Sequence, residues 1–299
     1  MRKEIQDIIS QLPSGTASEQ LTEGCLVLEG GAFRSLYTQG FLDVMMENDL
    51  NLTCVIGVSA GALAGGSYVS GQIGASVRTN LSYRHDGRYI GMRAILHSGS
   101  IIDVGFLTED RGIHESLDME RFNRSKQRYV VLATNCLTGE ATYFEKGKCD
   151  DILLAARASA TIPRFSPMVM IDGVPYLDGA CANKIPYRWA LKEGYEKIVV
   201  IRTRDFSFRA TEPKKPRPPL MYRKYPALAA LLTNSDHAYN MECEELEALA
   251  AEGRILHLGP SRPVEVGLME PSIPRLFDLY QLGRKDALDR LDEIRAYLS

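Results

Sequence analysis

The chain has 299 residues, 45% of them apolar, with a formal charge of -3 at pH 7. That length suits two domains or one large α/β sheet, the apolar share can fill a sizeable core, and the charge gives no reason to expect nucleic acid as a partner. The six cysteines are widely spaced with no C-x-x-C, no signal peptide opens the chain, and no run of about 20 apolar residues occurs. The expectation is therefore a reduced, cytoplasmic protein with nothing spanning a membrane.

Residues 1–12 form a short amphipathic stretch, and residues 13–23 a polar connector. Cys25-Leu26-Val27-Leu28 is the first apolar run. It does not alternate, which suits a strand buried on both faces of a parallel sheet. The glycine-rich stretch Glu29-Gly30-Gly31-Ala32-Phe33-Arg34 follows, and Leu36, Tyr37, Gly40, Phe41, Val44 and Met45 then mark one helical face that Asn48-Asp49 ends. A second strand over residues 53–56 runs into Gly57-Val58-Ser59-Ala60-Gly61, a G-x-S-x-G sequence, and Ala62, Leu63 and Ala64 continue as helix. A serine between strand and helix with small neighbours fits a nucleophile elbow. Its hydroxyl must project from a strained turn, Gly57 and Gly61 keep side chains out of that space, and free N–H groups at the helix start favour developing negative charge.

Residues 71–120 read as loops and short helices, and the apolar part, residues 95–107, reads by default as core packing, with a pocket wall as the alternative. Residues 129–134 are a third strand, and residues 141–144 return beside it. Asp150-Asp151 caps a helix over residues 152–158, which Pro163 stops. Asp172-Gly173 between residues 168–171 and 174–177 signals a hairpin, whose second arm delivers Asp178-Gly179-Ala180. A helix over residues 187–192 and a strand over residues 197–201 come next. Residues 206–226 are proline-rich and basic: Arg209, Lys214, Lys215, Arg217, Arg223 and Lys224 face only Glu212. They read as an exposed, partly extended loop. Residues 227–251 are helical, residues 254–258 a last strand, and residues 272–298 one or two amphipathic helices. Strand, helix, strand, elbow and helix in this order begin a doubly wound α/β domain, with the strands near Leu26, Val55, Val131 and Val199 central.

The loop at Gly30 to Arg34 can aim several backbone N–H groups at one point. A phosphate cradle and an oxyanion hole both answer that description. Neither G-x-x-x-x-G-K-[ST] nor G-x-G-x-x-G is present, so nucleotide binding has little support. His85, His97, His114, His237 and His257 show no metal-ligand spacing.

The ordered set of Glu29-Gly30-Gly31-Ala32-Phe33-Arg34, Gly57-Val58-Ser59-Ala60-Gly61, Ala158-Ser159-Ala160-Thr161-Ile162-Pro163 and Leu177-Asp178-Gly179-Ala180, with Asn183 and Pro186 after it, resembles the patatin-like phospholipase family. The resemblance covers about residues 24–205 and implies a three-layer α/β/α fold with a mainly parallel central sheet. Residues 1–23 would be an N-terminal helix and connector, 24–205 the catalytic core, and 206–299 a loop, helices and short strand packed on the same domain. The resemblance implies a serine lipid acyl hydrolase acting on lipid or phospholipid without metal or cofactor. Ser59 would be the nucleophile, Asp178 the base, and the backbone of Gly30, Gly31 and Ala32 the oxyanion hole. Arg34, Gly57, Gly61 and Gly179 would support them. Arg34 could hold a phosphate head group or pair with an acid to brace its loop, and its place inside the turn favours bracing. Residues 209–224 are expected to touch anionic lipid surfaces.

The family loop commonly reads Gly-Gly-Gly-x-Arg-Gly. Here Ala32 and Ser35 replace its third and last glycines, and Ala180 replaces a glycine after Asp178-Gly179. Two rival readings need a histidine: a triad in the order Ser59, Asp178 and His257 (or His237), and a Ser-His acyltransferase. Against the triad, the elbow follows only the second clear strand, and the oxyanion loop follows the first. A third rival is a lipid-binding protein whose dyad has fallen out of use.

Overall fold

A computed structural model of the chain describes residues 2–108, 117–213 and 218–299. It opens with α1 (Arg2–Ile9) and β1 (Gly15–Thr16), the latter inside the stretch that reads as a polar connector. The first crossover unit is β2 (Thr22–Leu28), α2 (Ser35–Glu47), β3 (Leu52–Val58) and α3 (Ala60–Ser70). After β4 (Gln72–Ile73) come the short helices α4 (Ala75–Ser82), α5 (Met92–Ser98), α6 (Gly105–Thr108) and α7 (Met119–Arg124). Then follow β5 (Arg128–Asn135), β6 (Ala141–Glu145) and α8 (Ile152–Ser159), whose first turn is capped by the Asp151 carboxylate, 2.9 Å from the Leu154 amide. Asp172 and Gly173, at φ 50 and 76, turn the hairpin of β7 (Val169–Ile171) and β8 (Val174–Asp178). The chain closes with α9 (Tyr187–Lys192), β9 (Ile198–Ile201), α10 (Pro226–Ala251), β10 (Leu256–Leu258), α11 (Ile273–Asp289) and α12 (Leu291–Leu298).

The main sheet has the order β10-β9-β2-β3-β5-β8-β7, with β6 also on β5. It is parallel from β10 to β5 and antiparallel where β6, β7 and β8 join. The strands at Leu26, Val55, Val131 and Val199 lie inside it, as their unbroken apolar runs require. Leu26 and Leu28 point to one side, into a core shared with α2, α3 and α11. Cys25 and Val27 point to the other, into a core shared with α9 and α10. Helices therefore cover both faces, giving the three-layer arrangement. Separately, β1 and β4 pair as a two-stranded antiparallel ribbon, too short for a sequence pattern to reveal.

Residues 95–107 do not follow the default core reading as a unit. Val104 and Phe106 are buried, whereas Ile95 and Leu96 are exposed. The run begins inside α5, which packs through Ala94, so hydrophobicity alone does not settle which side faces inward.

The tightest helix contact joins α2 to α11. A side chain at Gly40 would run into the Tyr280 carbonyl, and one at Gly283 into the Tyr37 carbonyl. The closeness is pinned by Asp43, buried on α2, which accepts from the Tyr280 hydroxyl (2.7 Å) and the Gly74 amide (2.9 Å). Gly40→Val should overpack this seam and lower stability by about 1–3 kcal/mol, read as a fall in the urea midpoint at unchanged slope.

Candidate active site

β3 ends at Val58, and Ser59 turns the chain into α3 with φ 56 and ψ -129. A non-glycine residue there is strained, by about 1–3 kcal/mol. Close packing holds it. A Cβ on Gly57 would lie 2.6 Å from Gly61 and the Ala62 amide, and one on Gly61 would lie 2.6 Å from the Leu28 carbonyl oxygen. The glycine-rich loop after β2 touches the same turn, since a Cβ on Gly30 would meet the Ser59 Cβ at 2.9 Å. The Ser59 N–H donates to the Ser159 hydroxyl (2.8 Å), which donates to the Leu132 carbonyl (2.6 Å). Ser159 lies in one of the four family-like motifs, but nothing local indicates that it anchors an elbow 100 residues away.

Asp178 is the last residue of β8, and its partner strand β5 sets its height beside the elbow. The Ser59 hydroxyl donates to Asp178 Oδ2 at 2.7 Å, and the Ala180 N–H donates to Oδ1 at 2.9 Å. Ser59 and Asp178 are 7% and 6% exposed. Burial raises the Asp178 pKa to about 6, opposed by the Ala180 amide, the Ser59 hydroxyl and the Lys184 charge. Gly179 is wedged against the Leu132 carbonyl and the Val58 side chain, leaving no room for a Cβ.

Gly30, Gly31 and Ala32 stand beside Ser59 in one cavity wall. Ala32 opens a short 3-10 turn at φ 47, so the position where the family commonly has glycine does need a left-handed backbone. Alanine adopts it at a cost of about 1 kcal/mol. Ser35 is the first residue of α2 and is buried.

Arg34 departs from the bracing role expected of it. Burial and the nearby Arg204 pull its guanidinium below the usual arginine range, and its buried Nε has no hydrogen-bond partner. Among the described residues it forms no ion pair. The brace is Glu29 instead: its carboxylate accepts from the Thr203 amide, the Thr203 hydroxyl (3.1 Å) and the Tyr239 hydroxyl (2.8 Å). A backbone amide and two hydroxyls hold that buried acid by hydrogen bonds, and the Arg34 and Arg202 charges attract it without bonding to it.

Ser59 borders two cavities. One has a volume of about 110 Å³ and is walled largely by apolar side chains, including Phe33, Leu63, Ile102, Val104 and Tyr129. The other, about 340 Å³, also reaches Asp178, and its wall sets Glu29, Arg34, Lys184, Arg204 and Asp236 among apolar residues such as Phe208 and Leu232. Among the described residues no histidine lines either cavity. His257 is buried on β10 with its ring 4.9 Å from that of Phe206, and burial drives its pKa down to about 3. His237 is exposed and faces Glu212 at 3.2 Å. The geometry thus brings neither candidate to Asp178, and His114 lies outside the described residues. Among the described residues, no group of three or more His, Cys, Asp and Glu side chains is gathered to hold a metal ion.

The family model for patatin-like phospholipases matches residues 26–191, more than half of the chain. The chain belongs to the patatin-like phospholipase family. Membership makes it a lipid ester hydrolase by class. A second model, a domain of unknown function (DUF6363), matches residues 225–299. The protein YjjU of Escherichia coli K12 is 27% identical over 266 residues, 87% of this chain and 74% of its own length. An NTE family protein of Mycobacterium bovis is 24% identical over 166 residues, and this chain spans only 43% of it (54% of this chain). The solved structure of VipD from Legionella pneumophila aligns with a TM-score of 0.41 at 13% identity, covering 95% of this chain and 69% of that one.

Removing the Ser159 hydroxyl would leave the buried Ser59 N–H without its acceptor. Ser159→Ala should therefore cost about 1–3 kcal/mol of folding stability, measured by urea unfolding against wild type.

Proposed function

We propose that the protein is a serine lipid acyl hydrolase that cleaves carboxylic ester bonds of phospholipids or related lipids through an acyl-enzyme. Ser59 is the nucleophile and Asp178 the base. The observation that carries this reading is the 2.7 Å hydrogen bond from the Ser59 hydroxyl to a buried Asp178 carboxylate, with no histidine lining the site's cavities among the described residues.

In the first step the Ser59 Oγ attacks the ester carbonyl carbon while its proton passes to Asp178. The carbonyl oxygen becomes an oxyanion beside the backbone of Gly30, Gly31 and Ala32, where each well-placed N–H donor is worth about 3 kcal/mol. The intermediate collapses, and the alcohol leaves with the proton held by Asp178. Asp178 then takes a proton from water, whose oxygen attacks the acyl carbon; as the acyl–Oγ bond breaks and the fatty acid leaves, that proton passes from Asp178 to Ser59 Oγ. The raised pKa serves this cycle, because a carboxylate at its ordinary value of about 3.9 is a weak base. The apolar cavity suits the acyl chain and the charged one the alcohol with its head group.

The site of action is proposed to be the cytoplasmic side of a membrane. The six thiols are unpaired, and no described helix is long and apolar enough to cross a bilayer. The basic stretch of residues 209–224 would meet anionic lipid through Arg223 and Lys224. Arg209 is engaged with Glu247 at 2.7 Å, while Lys214, Lys215 and Arg217 lie outside the described residues.

Ser59→Ala and Asp178→Asn should each lower ester hydrolysis about a thousandfold or more in a folded protein, whereas His237→Gln and His257→Gln should leave it largely intact. The reaction needs Asp178 as carboxylate, so kcat/KM should climb as pH rises through about 6 and then level. A fluorophosphonate should label Ser59 covalently. Failure to label wild-type protein would favour the lipid-binding rival, and loss of activity in a folded histidine variant would restore the triad.

A further inference from the structure

Helix α5 carries its apolar residues outward. Met92 is 71% exposed, Leu96 81% and Ile95 39%, and only Ala94 is buried. Positions i, i+3 and i+4 share one helix face, and a surface helix ordinarily turns such a stripe towards the core. Two more segments present large apolar side chains next to it: Phe165, 49% exposed, and Leu220 and Met221, 86% and 60% exposed. Hydrogen bonds join the three pieces. The Ile101 amide, just after α5, donates to the Phe165 carbonyl (3.1 Å), and the Arg164 amide donates to the Tyr222 hydroxyl (2.7 Å). Single exposed apolar residues are ordinary, but adjoining segments that all expose them mark an interaction surface.

The charge on these segments has one sign. Arg93, Arg164, Arg223 and Lys224 are exposed among the apolar residues, and residues 92–98, 163–170 and 220–224 contain no aspartate or glutamate. The surface also borders the site. The chain leaving α5 supplies Ile102 and Val104 to the apolar cavity beside Ser59. The chain entering Phe165 has just supplied Ile162 and Pro163 to the charged one.

We propose that this face seats on a lipid bilayer containing anionic lipid. Met92, Ile95, Leu96, Phe165 and Leu220 enter the acyl region, while Arg93, Arg164, Arg223 and Lys224 meet the head groups. A second copy of the chain fits less well, because a two-fold contact through this face would bring its cations together with no acid on these segments to oppose them. The inference rests on the lipid-hydrolase reading for its purpose. Docking here sets the mouth of the acyl cavity against the membrane, so that a lipid can pass to Ser59 without crossing water.

The experiment compares wild type, Ser59→Ala, Leu96→Glu and the double variant Met92→Glu/Leu96→Glu. Each is co-sedimented with vesicles of phosphatidylcholine and phosphatidylglycerol, and each is assayed on a soluble short-chain p-nitrophenyl ester. Wild type and Ser59→Ala should partition equally onto the vesicles. The double variant should lose about tenfold or more in partitioning, with Leu96→Glu intermediate and soluble-ester hydrolysis by both surface variants unchanged. Substitutions at such exposed positions leave the core intact, which circular dichroism checks. Wild type that ignores anionic vesicles, or a double variant that binds like wild type, overturns the proposal. So does light scattering in which Leu96→Glu splits a dimer, since a second copy would then cover the face. If wild type binds vesicles yet hydrolyses no ester, the hydrolase reading falls while the docking face stands.

Discussion

The arrangement depends on one strained turn. Ser59 adopts φ 56, a conformation the residue would not choose alone, and the surrounding structure has to over-determine it. Three contacts do so: α3 closes against Gly57, the end of β2 closes against Gly61 while Gly30 of the loop after it closes against Ser59, and Ser159 takes the Ser59 amide. None of these tolerates added volume at the glycines. The strain has a directional result, for it aims the hydroxyl out of the strand end towards β8, where Asp178 waits at 2.7 Å. A relaxed extended serine would continue β3 and point its side chain to one face of the sheet.

The second element is the burial of Asp178. A carboxylate in water holds its proton too weakly to assist a serine, and burial corrects this by disfavouring the charge. The correction is limited by three opposing influences, the Ala180 amide, the Ser59 hydroxyl and Lys184, leaving the pKa at about 6. Further burial would keep the acid protonated at neutral pH. Less burial would return it to an ordinary aspartate. Lys184 is itself held by the Ser235 carbonyl at 2.7 Å and has its pKa lowered by burial, so its moderating charge stays at a fixed distance.

Much of this was legible in the residues. The strands read correctly because both faces of each are buried, which leaves unbroken apolar runs at Leu26, Val55, Val131 and Val199. The hairpin at Asp172-Gly173 read correctly because left-handed backbone has few residue solutions. That Ser59 and Asp178 would come together was what the resemblance to the patatin-like family implied, and the two side chains do meet. What escaped was long-range or two-sided. Glu29 braces its loop through Thr203, 174 residues away, and no local pattern separates that acid from one that would pair with Arg34. His257 could be a triad member by chain order, yet β10 is the edge strand at the end of the sheet away from β8. The outward face of α5 escaped because an amphipathic pattern shows that a helix has two sides, not which one is covered.

The two matched regions meet at the site rather than dividing it. Ser59, Asp178 and the glycine-rich loop all lie within residues 26–191, and so does most of the apolar cavity. The charged cavity is different. Arg204, Phe208, Asp236 and Tyr239 in its wall come from later in the chain, and α10 delivers Tyr239 to Glu29. The later residues therefore hold the brace of the loop beside Ser59 as well as one side of the charged cavity that reaches Asp178. A relative sharing only residues 26–191 would share the elbow, the acid and the acyl side, but would need another partner for Glu29 and another wall opposite Asp178. Differences in what the alcohol side admits are thus expected to track the chain after residue 191, where a substitution can alter that wall without touching the hydrogen bond between Ser59 and Asp178.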